Sequence, residues 1–216
     1  SDVCSSDLGG SPRGQRFAAR WADTIITDGG GTVESMKNYR DNVRRQAAEF
    51  GRNPDDIKLL FLAQPIIDVS MEGARERLRM KEAEAEQHID LNLSGMSRLT
   101  GIDFSKFDLD TPLPELTTNG HQSSLARWIG KTPREIVKTY GRKAGIDFTG
   151  TADHVAGMMQ EVMEEVGGDG FLIFNAYFDR RYVIEVCDGL VPELQRRGLT
   201  RKAYAHRHLR DNLLEF

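Results

Sequence analysis

Apolar positions recur along this chain in two periods. Short β-branched or leucine-rich runs alternate with stretches in which every third or fourth residue is apolar. Pro12 to Trp21 reads as a helix. Ser11 is a good N-cap, and Pro12 suits a first turn, where a missing N–H costs nothing. Ala22 to Thr27 predicts a short buried strand, and Asp28 to Gly31 a loop whose glycines are read as flexible. Thr32 caps a predicted helix through about Phe50, with Val33, Met36, Tyr39, Val43 and Ala47 as its core-facing stripe. Gly51 stands where a terminating glycine belongs. Ile57 to Val69 is mostly apolar, as in a strand buried on both faces, and Pro65 limits pairing near its end. Ser70 then caps a charged helix from Met71 to about Leu91, whose Glu, Arg and Lys residues read as a solvated face.

Residues 92–150 break the alternation. Aspartates and prolines punctuate a loop, and Ser123–Ile129 and Pro133–Tyr140 predict short helices. With so little strand character, this stretch reads as a mostly helical insertion. A helix follows from Gly150-Thr151, with Val155, Met158, Met159, Val162 and Val166 as its apolar stripe and Gly167-Gly168 as its stop. Asp169–Tyr177 predicts a buried strand, and Arg181–Arg197 a helix ended by Gly198. Strands alternating with amphipathic helices predict an α/β fold with a parallel sheet. The three predicted strands are too few to close a barrel.

Composition narrows the class. The 216 residues are 39% hydrophobic and 29% charged, which suits a globular protein with one sizeable domain. A net charge of −4 leaves no basic footprint for nucleic acid, and no apolar run approaches a membrane span. The two cysteines, Cys4 and Cys187, suggest no disulfide framework and fit a reducing, cytoplasmic setting.

Few residues carry candidate chemistry. A nucleophile elbow, a helical His pair and a metal cluster are all missing from the pattern. His88 and His154 fall on predicted helices. Gly9 to Gly14 is a glycine-rich turn opening into a helix. Free backbone N–H groups and the positive helix end make such a turn a ready phosphate site. Gly10 and Gly14 allow close backbone approach, Ser11 offers a hydroxyl and an N–H, and Arg13 offers a charged donor. His121, on the polar loop Thr118–Ser123, is a candidate acid or base. Asn175 lies towards the end of the last predicted strand, where it either contacts ligand or terminates the strand; Asp68 has a similar place after the middle one.

Ser11-Pro12-Arg13-Gly14 followed by Phe17-Ala18-Ala19-Arg20 resembles the flavin-phosphate loop of the bacterial-luciferase-like flavin-dependent monooxygenases, in the nitrilotriacetate and dibenzothiophene-sulfone branch. Asp169-Gly170-Phe171, Leu190–Leu199 and Leu209–Leu213 agree with it at the far end. The resemblance runs over 9–216. It implies the last three β/α units, roughly, of a (β/α)8 TIM barrel, with the insertion covering the active site. It also implies a two-component enzyme that takes reduced FMN (FMNH2) from a separate NAD(P)H:flavin reductase. Such an enzyme oxygenates a small organic substrate with O2 through a peroxyflavin, and is a homo-oligomer at full length. The family motif usually has a second serine where Gly10 stands, so one phosphate-binding hydroxyl is lost.

Residues 1–8 resemble translated sequencing adapter and are set aside from the fold, which makes the chain a C-terminal fragment expected to be inactive alone. Two other readings stay open: an F420-dependent oxidoreductase of the same superfamily, and a non-enzymatic α/β binding domain.

Overall fold

The computed structural model describes residues 6–7, 10–140, 146–175 and 179–215; Cys4, Gly9, Ala176 and Tyr177 lie outside them. The chain divides into two compact units, one containing residues 76–143 and the other the rest. The larger unit begins with β1 (Ser6–Asp7), α1 (Pro12–Trp21), β2 (Thr24–Thr27), α2 (Val33–Glu49), β3 (Lys58–Ala63), β4 (Ile66–Ile67) and the start of α3 (Met71–Gln87). The smaller unit holds the remainder of α3, then α4 (Ile89–Thr100), α5 (Gln122–Trp128) and α6 (Pro133–Tyr140). The larger unit resumes with β5 (Thr149–Gly150), α7 (Ala152–Val166), β6 (Phe171–Ile173) and α8 (Arg180–Ile184). A π-helical turn (Glu185–Leu190), α9 (Val191–Arg196) and α10 (Leu209–Leu214) complete it.

β1, β2, β3 and β6 form a four-stranded sheet in that order, every neighbour parallel. The register sets Ile25 beside Leu59, Thr27 beside Phe61 and Ala63 beside Ile173. β1 falls within residues 1–8: Ser6 pairs with Thr24 and Asp7 with Ile25 at the sheet edge. Ladder bonds use main-chain groups alone, so a short polar segment can fill that place.

The run Ile57–Val69 is not one strand. Pro65 has no N–H to give the ladder, and the chain leaves the first sheet there. Ile66-Ile67 pairs instead with Thr149-Gly150, where the sequence predicts the end of the insertion and a helix start at Gly150. The last strand is also shorter than Asp169–Tyr177, reaching only Phe171–Ile173.

Alternation along β3 sorts its side chains by face. Leu59, Phe61 and Ala63 are fully buried against α1, α2 and α7, with Ala18, Val43, Ala47, Val155 and Met159. Lys58, Leu60 and Leu62 take the opposite face and are half-buried. Asp169 ties the other end of the sheet. Its carboxylate accepts the Leu59 N–H at 2.9 Å and lies 3.8 Å from both Arg40 and Lys58.

Two expected helices are interrupted. The charged helix stops at Gln87, where the Asn92 amide donates to the Ala85 and His88 carbonyls, and a new helix begins at Ile89. His88 therefore sits at a break rather than on a helix. Arg181–Arg197 is divided by the π-helical turn before Pro192, where the Val191 N–H donates five residues back to Val186. A proline ring would clash with the carbonyl four residues earlier, and the wider turn relieves that.

The smaller unit builds its own core. Leu93, Met96, Phe104, Leu113, Leu125, Trp128, Ile136 and Val137 are buried together, with the Phe104 and Trp128 rings edge to face at 5.8 Å.

Candidate functional site

Because the main sheet is parallel, the C-terminal ends of its strands share one edge. Gly10-Ser11 follows β1, Asp28-Gly29 follows β2, Gln64 follows β3, and Phe174-Asn175 follows β6. This carboxyl edge is where α/β folds gather ligands, since loops and helix N-termini converge there.

The start of α1 is a built turn. Ser11 is extended, with φ −87° and ψ 158°, and its Oγ accepts the Gly14 N–H at 3.1 Å. The Gln15 N–H returns to the Ser11 carbonyl at 2.8 Å. The hydroxyl therefore still has its own proton to donate outward. Gly10, Ser11 and Arg13 are exposed and Gly14 is half-buried. No acidic residue stands in the first turn to oppose the positive helix end. Behind it, Ala18 and Ala19 are fully buried, Asn42 donates to the Gln15 side chain at 2.6 Å, and Arg52 donates to the Ala19 carbonyl at 3.1 Å. Gly10, Ser11, Arg13 and Gly14 are thus brought together on an anchored helix start with the chemistry of an oxyanion site.

The glycines after β2 form a 3-10 turn instead of the slack loop expected of them. Gly29 has φ +64°, and an added Cβ would come within 2.5 Å of Met36 and 2.7 Å of Phe61. Only glycine fits that conformation in that space.

At the other side of the edge, Asn175 is buried and accepts the Gln64 Nε2–H at 3.0 Å. Gln64 Oε1 is also buried, with no hydrogen-bond partner among the described residues. Sequence reasoning missed Gln64. The available signal was an amide directly after β3, in alternation with Leu60 and Leu62. Asp68 does not join this amide pair; it accepts an Arg181 guanidinium N–H at 2.9 Å, and Arg181 also donates to Glu185 at 2.7 Å. The Tyr182 hydroxyl donates to the Phe174 carbonyl at 3.2 Å, and burial pushes its pKa up to about 12. These contacts brace the segment that carries Asn175.

His121 belongs to the smaller unit. It precedes α5, is exposed, and donates its backbone N–H to Leu99 at 3.1 Å without a side-chain capping bond. Arg98–Ile102 and Thr117–Gly120 line a groove beside it. Far along the chain, Asn212 acts as a clasp, donating to the His206 and His208 carbonyls and accepting the His206 N–H. Among the described residues, no group of three His, Cys, Asp or Glu side chains is placed to hold a metal ion. No helix among them is long and apolar enough to cross a membrane.

The family profile described as luciferase-like monooxygenase matches residues 8–170. The chain belongs to the luciferase-like monooxygenase family. Its sequence is 30% identical to the dibenzothiophene-sulfone monooxygenase of Rhodococcus erythropolis, over 94% of this chain and 47% of that protein. It is 32% identical to the long-chain alkane monooxygenase of Geobacillus thermodenitrificans, over 95% of this chain and 43% of that protein. Among solved structures, a riboflavin lyase holding a modified FMN and riboflavin superposes with a TM-score of 0.85 at 26% identity, over 98% of this chain and 47% of that one. This luciferase-like chain therefore spans about half the length of the curated relatives it matches. The dibenzothiophene-sulfone, nitrilotriacetate and dimethyl-sulfide relatives carry monooxygenase names, and neither alternative left open by the sequence is favoured.

Proposed function

We propose that the chain supplies the phosphate-binding end of a two-component, FMNH2-dependent monooxygenase acting on a small organic substrate. The observation that carries this is the parallel sheet whose carboxyl edge presents the Ser11-capped start of α1, in a chain of the luciferase-like family. On this reading residues 9–216 are about the last three β/α units of a (β/α)8 barrel, and 92–150 is its insertion. The sheet supports it: Leu60, Leu62 and Leu172 are half-buried on the face opposite the helices, outside the helix-side core. Parallel sheets are covered on both faces, and further barrel strands would complete that cover.

The residues present fit FMN. A dianionic phosphate needs donors and positive potential, and Ser11 Oγ, the Arg13 backbone N–H and the Arg13 side chain supply both without a competing carboxylate. Pro12 gives no donor but pre-sets the helical φ of that turn. Gly10 and Gly14 keep side chains out of the way. Asn175 and Gln64 present amides at the ring or substrate end of the same edge. His121 is the proposed acid–base residue of the insertion. When bound, reduced flavin supplies the activation of O2; the protein positions it and excludes water. A NAD(P)H:flavin reductase delivers it. An aminopolycarboxylate, a sulfone, alkanes and thioethers are among the substrates that the relatives' names give.

FMN titration followed by flavin fluorescence tests the reading. Ser11→Ala is expected to weaken FMN about tenfold, the equivalent of one lost charge-assisted bond of about 1.4 kcal/mol, while leaving riboflavin, which has no phosphate, unchanged. Equal loss for both ligands, or no binding of FMN at all, would overturn it. The purified 216-residue chain is expected to show no turnover with reduced FMN, and measurable turnover would refute the fragment reading.

A further inference from the structure

Gln64 carries a cost the fold does not require. It stands directly after β3, in alternation with the half-buried Leu60 and Leu62, where the preceding run Leu59–Ala63 is apolar. One end of the amide is used: Nε2 donates to Asn175 Oδ1 at 3.0 Å. The other end, Oε1, is buried and has no partner among the described residues. A buried acceptor left without a donor destabilises the fold. Such costs persist in native proteins where a ligand settles them. The terminal torsion of glutamine is soft, so the amide can turn towards the edge without moving the strand.

The position matters as much as the chemistry. Gln64 and Asn175 lie beyond β3 and β6, while Ser11 lies beyond β1, along the same carboxyl edge. β1 and β3 are two strand spacings apart, about 10 Å. A phosphate held at Ser11 with a ribityl chain running along the edge would bring a flavin ring to the amide pair. The pyrimidine edge of that ring is an imide, with an N–H between two carbonyls. A primary amide complements it, accepting the N–H and offering its own N–H back.

We propose that Gln64, held by Asn175, is the residue of this chain that reads the imide N–H of the flavin ring. This rests on the FMN reading above and adds a second contact at the opposite end of the cofactor. The same acceptor would also suit an N–H or O–H on the organic substrate, and the experiment separates the two.

The probes are FMN and its N3-methyl analogue, which keeps the phosphate and loses the imide proton. Binding of each to the 216-residue chain is measured by flavin fluorescence and calorimetry, for the native protein, Gln64→Met and Gln64→Glu. Native protein is expected to bind FMN about tenfold more tightly than the methylated flavin, the ratio of one hydrogen bond worth about 1.4 kcal/mol. Gln64→Met is expected to abolish that ratio. Gln64→Glu, which keeps an acceptor, is expected to retain a preference for FMN. Equal native affinity for the two flavins would overturn the proposal while leaving the phosphate reading intact, and would return the acceptor to the substrate. Absence of FMN binding would overturn both.

Discussion

Phe104 and Leu60 show how differently the two units bury apolar surface. Phe104 is fully enclosed in the helical unit, packed against Phe107 and Trp128 within a core made by that unit alone. Leu60 stands on a sheet face that the helices of its own unit do not cover, and is only half-buried. The helical unit is closed by local means: short helices, Asx caps such as Asp103 on Ser105, and the Asn92 bridge between α3 and α4. The sheet-bearing unit is organised by contacts between residues far apart in sequence, such as Asp169 on Leu59. A self-sufficient core suits an insertion. A sheet finished on one face, with helix N-termini and amides along its carboxyl edge, is what the proposed barrel reading requires.

The largest test of this contrast removes the centre of the helical core. Phe104→Ala is expected to cost about 3–5 kcal/mol, as for other buried aromatic truncations. Trp128 packs on that ring and Trp21 lies in the other unit with its side chain exposed. In a Trp21→Phe background the emission should therefore shift to the red, while amide exchange of β2 and β3 stays slow. Simultaneous loss of protection in both units would show that the helical core does not stand by itself.

Next comes the long-range tie of the sheet. Asp169→Ala leaves the Leu59 N–H without its acceptor and Arg40 and Lys58 without their shared carboxylate. Removing one member of such a largely buried cluster is expected to cost about 3 kcal/mol, read as a lower urea midpoint at unchanged slope. A cost below that of an ordinary surface change would mean the ladder and apolar contacts hold the β3–β6 side without this carboxylate.

A smaller effect is expected at the ligand edge. Ser11→Ala removes an N-cap and should lower stability by about 1 kcal/mol in the absence of flavin, measured by thermal unfolding. The effect at Tyr182 is confined to high pH. Its folded pKa is raised to about 12, so between the ordinary tyrosine range near 10 and that value the unfolded chain loses the proton first. Stability should fall as pH climbs through this window, and Tyr182→Phe should flatten that part of the profile. An unchanged slope would place the hydroxyl in water rather than on the Phe174 carbonyl.

Much of the chain was legible from its residues. Ser11 before Pro12, Thr32 before Val33 and Thr151 before Ala152 mark helix starts, because capping is a property of three or four consecutive residues. The apolar stripes of α2 and α7 identified their buried faces for the same local reason. The glycine-rich turn at Gly10–Gly14 and the motifs at both ends placed the chain in its family.

What stayed hidden depends on partners distant in sequence. The pairing of Ile66-Ile67 with Thr149-Gly150, and the edge strand Ser6-Asp7, rest on main-chain hydrogen bonds that any local sequence can supply. The break at His88 is bridged by the Asn92 amide, and the rigid place of Gly29 needed Met36 and Phe61. Gln64 looked like one polar residue in an apolar run. Only the parallel register, which sets β3 beside β6, brings it to Asn175 and leaves its carbonyl oxygen buried and unpaired among the described residues. Local chemistry can be read along the chain; the cost of a buried polar atom exists only once the chain has folded around it.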